Sequence, residues 1–283
     1  MRLVTYSQKG RVRLGALSGN RVVDLNSVAP GMLELMRGGE ASLAAARAVA
    51  EATGQSDSLA DVRLLAPISR PGKVVCVGLN YRSHLAEIGE PAQQYPILFH
   101  KAATSIIGNG EAIVLPRISK QVDFEGELAV VIGRRGKYIS EPYALSYVGG
   151  YTCANDVSAH DLEFRTSQWT SGKMLDTFCR LGPVLATPEE IPDPSLLRLK
   201  TIVNGETVQN EYTSDMIFSV PFLISCISSL ATLEPGDVIL TGTPAGIGCN
   251  RKPPKFLEPG DRIAVEIDGI GALSNPVVAE AGR

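Results

Sequence analysis

The 283-residue chain is short of several things, and each shortage closes off a class of protein. It has no excess of basic charge: Lys and Arg total 27 against 30 Asp and Glu, a net charge of −3. That balance gives no electrostatic footing for nucleic acid or for an anionic membrane surface. Its cysteines are few and unorganised. Cys76, Cys153, Cys179, Cys226 and Cys249 are odd in number and show no C-x-x-C spacing, so neither a disulfide framework nor a thiolate zinc site is indicated. Cys76 and Cys153 fall inside apolar runs and read as small buried hydrophobes. No window holds the roughly 18 apolar residues of a membrane span. The opening stretch MRLVTYSQKGRVRLGAL alternates apolar and charged residues and lacks the apolar block of a signal peptide. These exclusions leave a cytoplasmic enzyme as the expectation, with length enough to bury one large core or two.

What the chain does have is most telling at DFEGELAVVIG, residues 123 to 133. From Leu128 to Ile132 the run is continuously apolar and partly β-branched, which predicts a buried strand with Glu125 and Glu127 at its entrance. Residues i and i+2 of an extended chain face the same way, so both carboxylates reach toward one point. Two like charges that close, beside an apolar strand, repel and lose solvation unless a cation, a donor or a proton compensates. A divalent metal is the simplest compensator. Gly126 between them removes a side chain and lets another backbone or a ligand come near. Further on, VGGYTCANDVSAHD (148–161) reads as a short strand, Tyr151 to Ala154, ending in Asn155 and Asp156. Oxygen-only sites for Mg²⁺ or Mn²⁺ take few carboxylates and leave the other positions to water and substrate, so Glu125, Glu127 and Asp156 suit one. The plainer alternative makes Asp156 the cap of a helix over residues 159–167.

Residues 1–66 read as a small N-terminal α/β domain. Arg2 to Tyr6, Val12 to Leu17 and Arg21 to Asp24 form a short meander, followed by one helix from about Met32 to Ala52. TGQSDS (53–58) and APISRPGK (66–73) are turn-rich and mark the boundary. Over 67–283 strand runs recur at Val74 to Val77, Leu128 to Ile132, Tyr151 to Ala154, Leu199 to Val203, Val238 to Leu240 and Ile263 to Ile267. The clearest helix is Val220 to Ala231. The fold class expected is α+β, mainly β. DVILTGTPAGIG (237–248) carries Gly242, Gly246 and Gly248 as G-x-x-x-G-x-G, which is not the dinucleotide spacing, and no helix pattern follows it.

GLNYRSHLAEIGE (78–90), ILFHKAATSIIG (97–108), DFEGELAVVIG, YVGGYTCANDVSAHD (147–161), GKMLDTFCRLGP (172–183) and DVILTGTPAGIG stand in the order and spacing of the fumarylacetoacetate hydrolase family. With RKPPKFLEPGD (251–261), the chain most resembles the domain-2-containing branch. That resemblance implies a mixed β-roll or sandwich for 67–283, a homodimer, and Mg²⁺ or Mn²⁺ on Glu125, Glu127 and Asp156. It implies a small anionic 2-oxo or 2,4-dioxo acid as substrate, and as activity the hydrolytic cleavage of a 2,4-dioxo acid to pyruvate and a carboxylic acid. The alternative is isomerisation, tautomerisation or decarboxylation of a 2-oxo dicarboxylic acid.

Individual residues take expected roles from the same likeness. His84 and Glu87, three apart, would share a helical face, with Glu87 orienting the imidazole and His84 activating a water; in relatives the pair lies on a lid segment. Lys101 and Lys173 sit in apolar or small-residue settings where an unpartnered lysine is costly. Lys173, in GKMLDTF, is expected to steady an enolate and Lys101 to bind substrate. Thr243 would offer its hydroxyl and backbone amides to an anionic end of the substrate. Glu163 matches a position where acylpyruvase relatives carry a substrate-positioning glutamine, and an acid there demands a compensating charge or a proton. Arg82, expected to bind substrate as well, and Arg165 are the candidates to offset it.

Overall fold

The computed structural model describes residues 1–52 and 56–282; of the turn-rich stretch at 53–58, residues 53–55 lie outside the described residues. The architecture is the α+β, mainly β class expected. A twelve-stranded sheet runs through the molecule. Its main path passes from Ser56–Ser58 through Arg21–Asp24, Arg11–Ser18 and Arg2–Gln8 to Cys179–Ala186 and Val148–Asp156. It then continues through Gly126–Ile132, Val238–Leu240 and Val74–Gly78 to Ile97–His100. The N-terminal meander is present and continues this sheet, Arg2 and Leu3 pairing with Ala186 and Leu185. A second sheet of five strands is ordered Glu206–Tyr212, Arg198–Val203, Arg262–Ile267, Gly271–Ala279 and Ile113–Leu115. Among the described residues no helix is long and apolar enough to cross a membrane.

The strand Gly126–Ile132 shows why its sequence is an unbroken apolar run: both of its faces are buried. Leu128, Val130 and Ile132 pack in one cluster with Leu199 and Val265 of the second sheet and Ile224 and Ile227 of the helix Val220–Leu230. Ala129 and Val131 pack on the opposite side with Val74, Leu181, Leu240 and the helical residues Leu35 and Met36. A strand sandwiched in this way cannot alternate apolar with polar residues. The helix Val220–Leu230 starts where its sequence says it should, with Pro221 in the first turn and the Ser219 hydroxyl accepting the Phe222 N–H.

Two helical expectations change. The single helix over Met32 to Ala52 is two, Met32–Arg37 and Gly39–Glu51, and the junction is Gly38-Gly39, where Gly39 has φ 62°. A left-handed glycine turns the chain out of the first helix before the second begins. The helix over residues 159–167 is reduced to one turn, His160–Glu163, and its N-cap is Ala159. Asp156 is therefore no helix cap. It is the last residue of the strand Val148–Asp156.

Candidate active site

The acidic groups converge because of strand register. Gly126–Ile132 and Val148–Asp156 are antiparallel neighbours, with Glu127 opposite Ala154 and Gly126 opposite Asn155. Glu127 shares a face with Ala129, and Asp156 shares one with Ala154; Ala129 and Ala154 lie in the same cluster. The carboxylates of Glu125, Glu127 and Asp156 thus meet on one side of the sheet, each with an oxygen within 4.8 Å of the others, and all three are buried. Gly126 faces the other way, and a Cβ there would lie 2.1 Å from Thr201 Oγ1. The close approach that a glycine permits is made by the second sheet.

Compensating groups surround the acids. Lys173 Nζ donates to Glu125 Oε1 and Oε2 at 2.8 and 2.9 Å and to Asp156 Oδ2 at 3.3 Å. Lys101 Nζ donates to Asp156 Oδ1 and, at 2.9 Å, to the Val157 carbonyl. The Gly242 N–H donates to Glu127 Oε2 at 2.6 Å and the Ser158 hydroxyl to Glu125 Oε1 at 2.9 Å. Counted as ionised, three carboxylates against two ammonium groups leave one negative charge uncompensated. Burial, then the charges of Asp156 and Glu125, push the Glu127 carboxyl well above its usual range, against the pull of Gly242 and Lys173. For Lys173 burial opposes the charge, but Asp156, Glu125 and Glu163 outweigh it and hold the ammonium well above its ordinary value. An all-oxygen set with excess negative charge and a carboxyl that burial disfavours as an anion fits a hard divalent cation. Asp123, His160 and Cys249 also cluster within 4.8 Å. That group does not fit a metal, because both Asp123 oxygens already accept backbone N–H groups of Phe124, Gly248 and Cys249 as well as His160.

Beside the acids lies a cavity of ≈ 200 Å³. Its polar lining includes Glu125, Lys173, His84, Thr243, Glu163 and His160; its apolar lining includes Val77, Ile88, Phe99, Phe164, Trp169 and Ile247. Trp169 can reach so far in because residue 78 is glycine: a Cβ there would meet its ring at 2.2 Å. Phe99 holds the Trp169 ring edge-on, centroids 5.7 Å apart, and lies 5.1 Å from Lys173 Nζ.

The remaining expected residues divide. His84 lines the cavity on the helix Arg82–Ile88, its Nδ1 3.3 Å from Glu87 Oε2. Glu87 is anchored in turn, accepting the Gly246 N–H at 3.0 Å and Asn250 Nδ2 at 2.9 Å. Glu163 lines the cavity with Lys173. Lys101 does not; it stands behind Asp156. Arg82 is not among the residues lining the cavity; its Nη1 donates to the Met216 and Asp215 carbonyls at 2.8 and 3.1 Å. Thr243 lines the cavity, but its hydroxyl donates to the Gly126 carbonyl at 2.9 Å while accepting from Gln209 at 2.8 Å, which spends its proton within the protein. Arg165 donates to the Asp161 carbonyl. The charge that offsets Glu163 comes from a residue sequence reasoning passed over. His160 Nδ1 is 2.8 Å from Glu163 Oε2 and Nε2 is 3.1 Å from Asp123 Oδ2. Burial opposes a charge on His160, but the bonds to Asp123, Cys249 and Glu163 overcome it and push its pKa up to about 12, with a carboxylate oxygen set against each ring nitrogen. The signal was available: His160 and Glu163 have the same i, i+3 spacing as His84 and Glu87.

Comparison with known proteins places this geometry. Residues 73–278 match the model of the fumarylacetoacetate (FAA) hydrolase C-terminal family and residues 1–67 match that of Rv2993c-like N-terminal segments. The mitochondrial oxaloacetate tautomerase fahd2 of Xenopus laevis is 44% identical over 288 residues, covering 98% of this chain and 90% of its own. The crystal structure of 5-carboxymethyl-2-hydroxymuconate delta-isomerase from Mycobacterium smegmatis aligns with a TM-score of 0.81 at 37% identity, over 100% of both chains. Maleylpyruvate hydrolase from Sphingobium sp. SYK-6, solved with manganese (II) and pyruvate, aligns with a TM-score of 0.84 at 28% identity over 99% of this chain and 100% of its own. The chain belongs to the fumarylacetoacetate hydrolase family.

Proposed function

We propose that the chain is a divalent-metal-dependent tautomerase of a 2-oxo dicarboxylic acid of the oxaloacetate type, with Glu125, Glu127 and Asp156 as the ligands of Mg²⁺ or Mn²⁺. The observation that carries this is the buried three-carboxylate cluster with Lys173 lying against it at the wall of a cavity. The likeness to an oxaloacetate tautomerase supports tautomerisation ahead of the hydrolysis expected from sequence. When bound, the cation would act as a Lewis acid on a 2-oxo group. Lys173 contributes a fixed positive charge where an enolate develops, and its three carboxylate neighbours hold it in place. Lys101 keeps Asp156 oriented from behind, and the Gly242 N–H does the same for Glu127. Phe99, Trp169 and Ile247 give the site an apolar wall, in a cavity of a size suited to a small acid.

A hydrolase of the acylpyruvate kind is the second reading, and one observation favours it. His84 faces the cavity with Nδ1 held by Glu87, an arrangement that suits water activation. In both readings residues 1–66 and 67–283 are two domains of one catalytic chain, a cytoplasmic homodimer; five free cysteines support a reducing compartment. The purified protein, loaded with Mg²⁺ or Mn²⁺, should speed the enol-to-keto conversion of oxaloacetate, followed by ultraviolet absorbance, without releasing pyruvate. Pyruvate with CO₂ would identify a decarboxylase instead. Pyruvate with a second acid from an acylpyruvate panel, and no tautomerisation, would establish the hydrolase.

A further inference from the structure

We propose that Glu163 is the base that moves the C3 proton of the 2-oxo acid, and that His160 is the residue that positions it; the inference rests on the tautomerase reading above. The two oxygens of Glu163 are differently placed. Oε2 is held 2.8 Å from His160 Nδ1. Oε1 stands 3.9 Å from Lys173 Nζ, beyond hydrogen-bond reach, and takes no hydrogen bond among the described residues. A buried carboxylate with one oxygen fixed and the other free at a cavity wall is arranged to receive a proton.

The surroundings keep it there. His160 is anchored on its far side by Asp123, whose oxygens also take the N–H groups of Phe124, Gly248 and Cys249, and its ring is stacked on Phe164 with centroids 5.7 Å apart. The turn bearing Glu163 is pressed against the turn bearing Lys173: a Cβ on Gly172 would lie 2.5 Å from Glu163 Cβ. Base and enolate-stabilising cation are thus set as neighbours by the packing of two short turns. An acid here would otherwise repel an anionic substrate, and the cations on either side remove that objection.

The step balances without any further reagent. Glu163 Oε1 takes the proton as the C3–H bond breaks, the freed pair forms the C2–C3 double bond, and the former carbonyl pair comes to rest on the C2 oxygen beside Lys173. That oxygen takes a proton from water, and Glu163 loses its own to water. The reverse sequence delivers a proton to C3 of the enol.

The test measures exchange of the C3 protons of oxaloacetate with deuterated solvent by NMR, together with enol-to-keto kinetics. Affinity for oxalate, a planar enolate mimic that carries no C3, is measured by calorimetry. Glu163→Gln should lower exchange and kcat about 10² to 10⁴-fold with KM and oxalate affinity little changed. Glu163→Asp, which keeps the charge but withdraws it, should fall between that variant and wild type, and it serves as the test if the glutamine variant does not fold. His160→Gln should lower kcat rather than raise KM, and the double variant should be no slower than Glu163→Gln alone. Exchange at the wild-type rate in Glu163→Gln and Glu163→Asp would overturn the base assignment and leave the tautomerase reading standing. A wild-type protein that neither exchanges C3 protons nor converts the enol would overturn both.

Discussion

Gly126 offers the sharpest test of how the acidic pair is built. Its Cβ position lies 2.1 Å from Thr201 Oγ1, 3.1 Å from Gln209 Oε1 and 3.4 Å from Leu199 Cδ2, so Gly126→Ala inserts a methyl group where the second sheet already stands. Thr201 is fully buried and cannot swing into solvent. Its hydroxyl donates to Gln209 Oε1 at 2.7 Å, and that same oxygen accepts the Gly126 N–H at 2.9 Å. Relieving the overlap therefore separates the sheets or breaks this knot. Overpacking of this kind costs about 1–3 kcal/mol, and a buried hydrogen bond lost with it adds about 1 kcal/mol. The expected loss is about 2–4 kcal/mol, read from the shift of the urea midpoint at an unchanged slope. Because Glu125 and Glu127 flank the glycine, Mn²⁺ affinity should fall as well. A variant within about 0.5 kcal/mol of wild type, the range of ordinary surface changes, would refute the claim that this glycine exists to admit the second sheet.

Three further outcomes follow from the site. His84→Ala should reduce any acylpyruvate cleavage about 10² to 10⁴-fold while leaving metal binding nearly intact; equal losses on oxaloacetate tautomerisation would show that His84 does not act by activating water. For His160, whose folded pKa is raised from an ordinary 6.5 to about 12, the charged form adds stability that is whole below about pH 6.5 and declines as pH rises toward 12. His160→Gln should accordingly lose more stability at pH 6 than at pH 10 in denaturant titrations, and an equal loss at both would contradict the double ion pair. Glu127, with its carboxyl held above the usual range, favours the protonated folded state, so the metal-free protein should lose stability as pH rises past about 4.5. Added Mg²⁺ should raise the melting temperature more at pH 8 than at pH 5, because it needs the ionised carboxylate.

Much of this was legible in the residues and some could not have been. An apolar run with no alternation has to be covered on both faces, so the strand Gly126–Ile132 was readable, and the period of two fixed the common direction of Glu125 and Glu127. Lys101 and Lys173 were readable as partners of acids because their neighbours leave an unpaired ammonium nowhere to go. The directions of other side chains depend on contacts far along the chain. Arg82 is drawn to carbonyls some 130 residues away, and the Thr243 hydroxyl is drawn to Gly126. Neither partner is indicated by local pattern. The split at Gly38-Gly39 was marked by the glycine pair itself, against the strong helix propensity of the alanines that follow.

On the proposed reading, one divalent cation held by Glu125, Glu127 and Asp156 makes the chain a tautomerase. That reading is tested most directly by titrating Mn²⁺ into metal-stripped wild type and Glu127→Gln while following the enol-to-keto rate of oxaloacetate in the same samples. Wild type should bind one ion per chain with activity rising in step with occupancy, and both affinity and rate should be greatly reduced in the variant. Wild-type binding and rate in Glu127→Gln, or full activity in the metal-stripped protein, would contradict it.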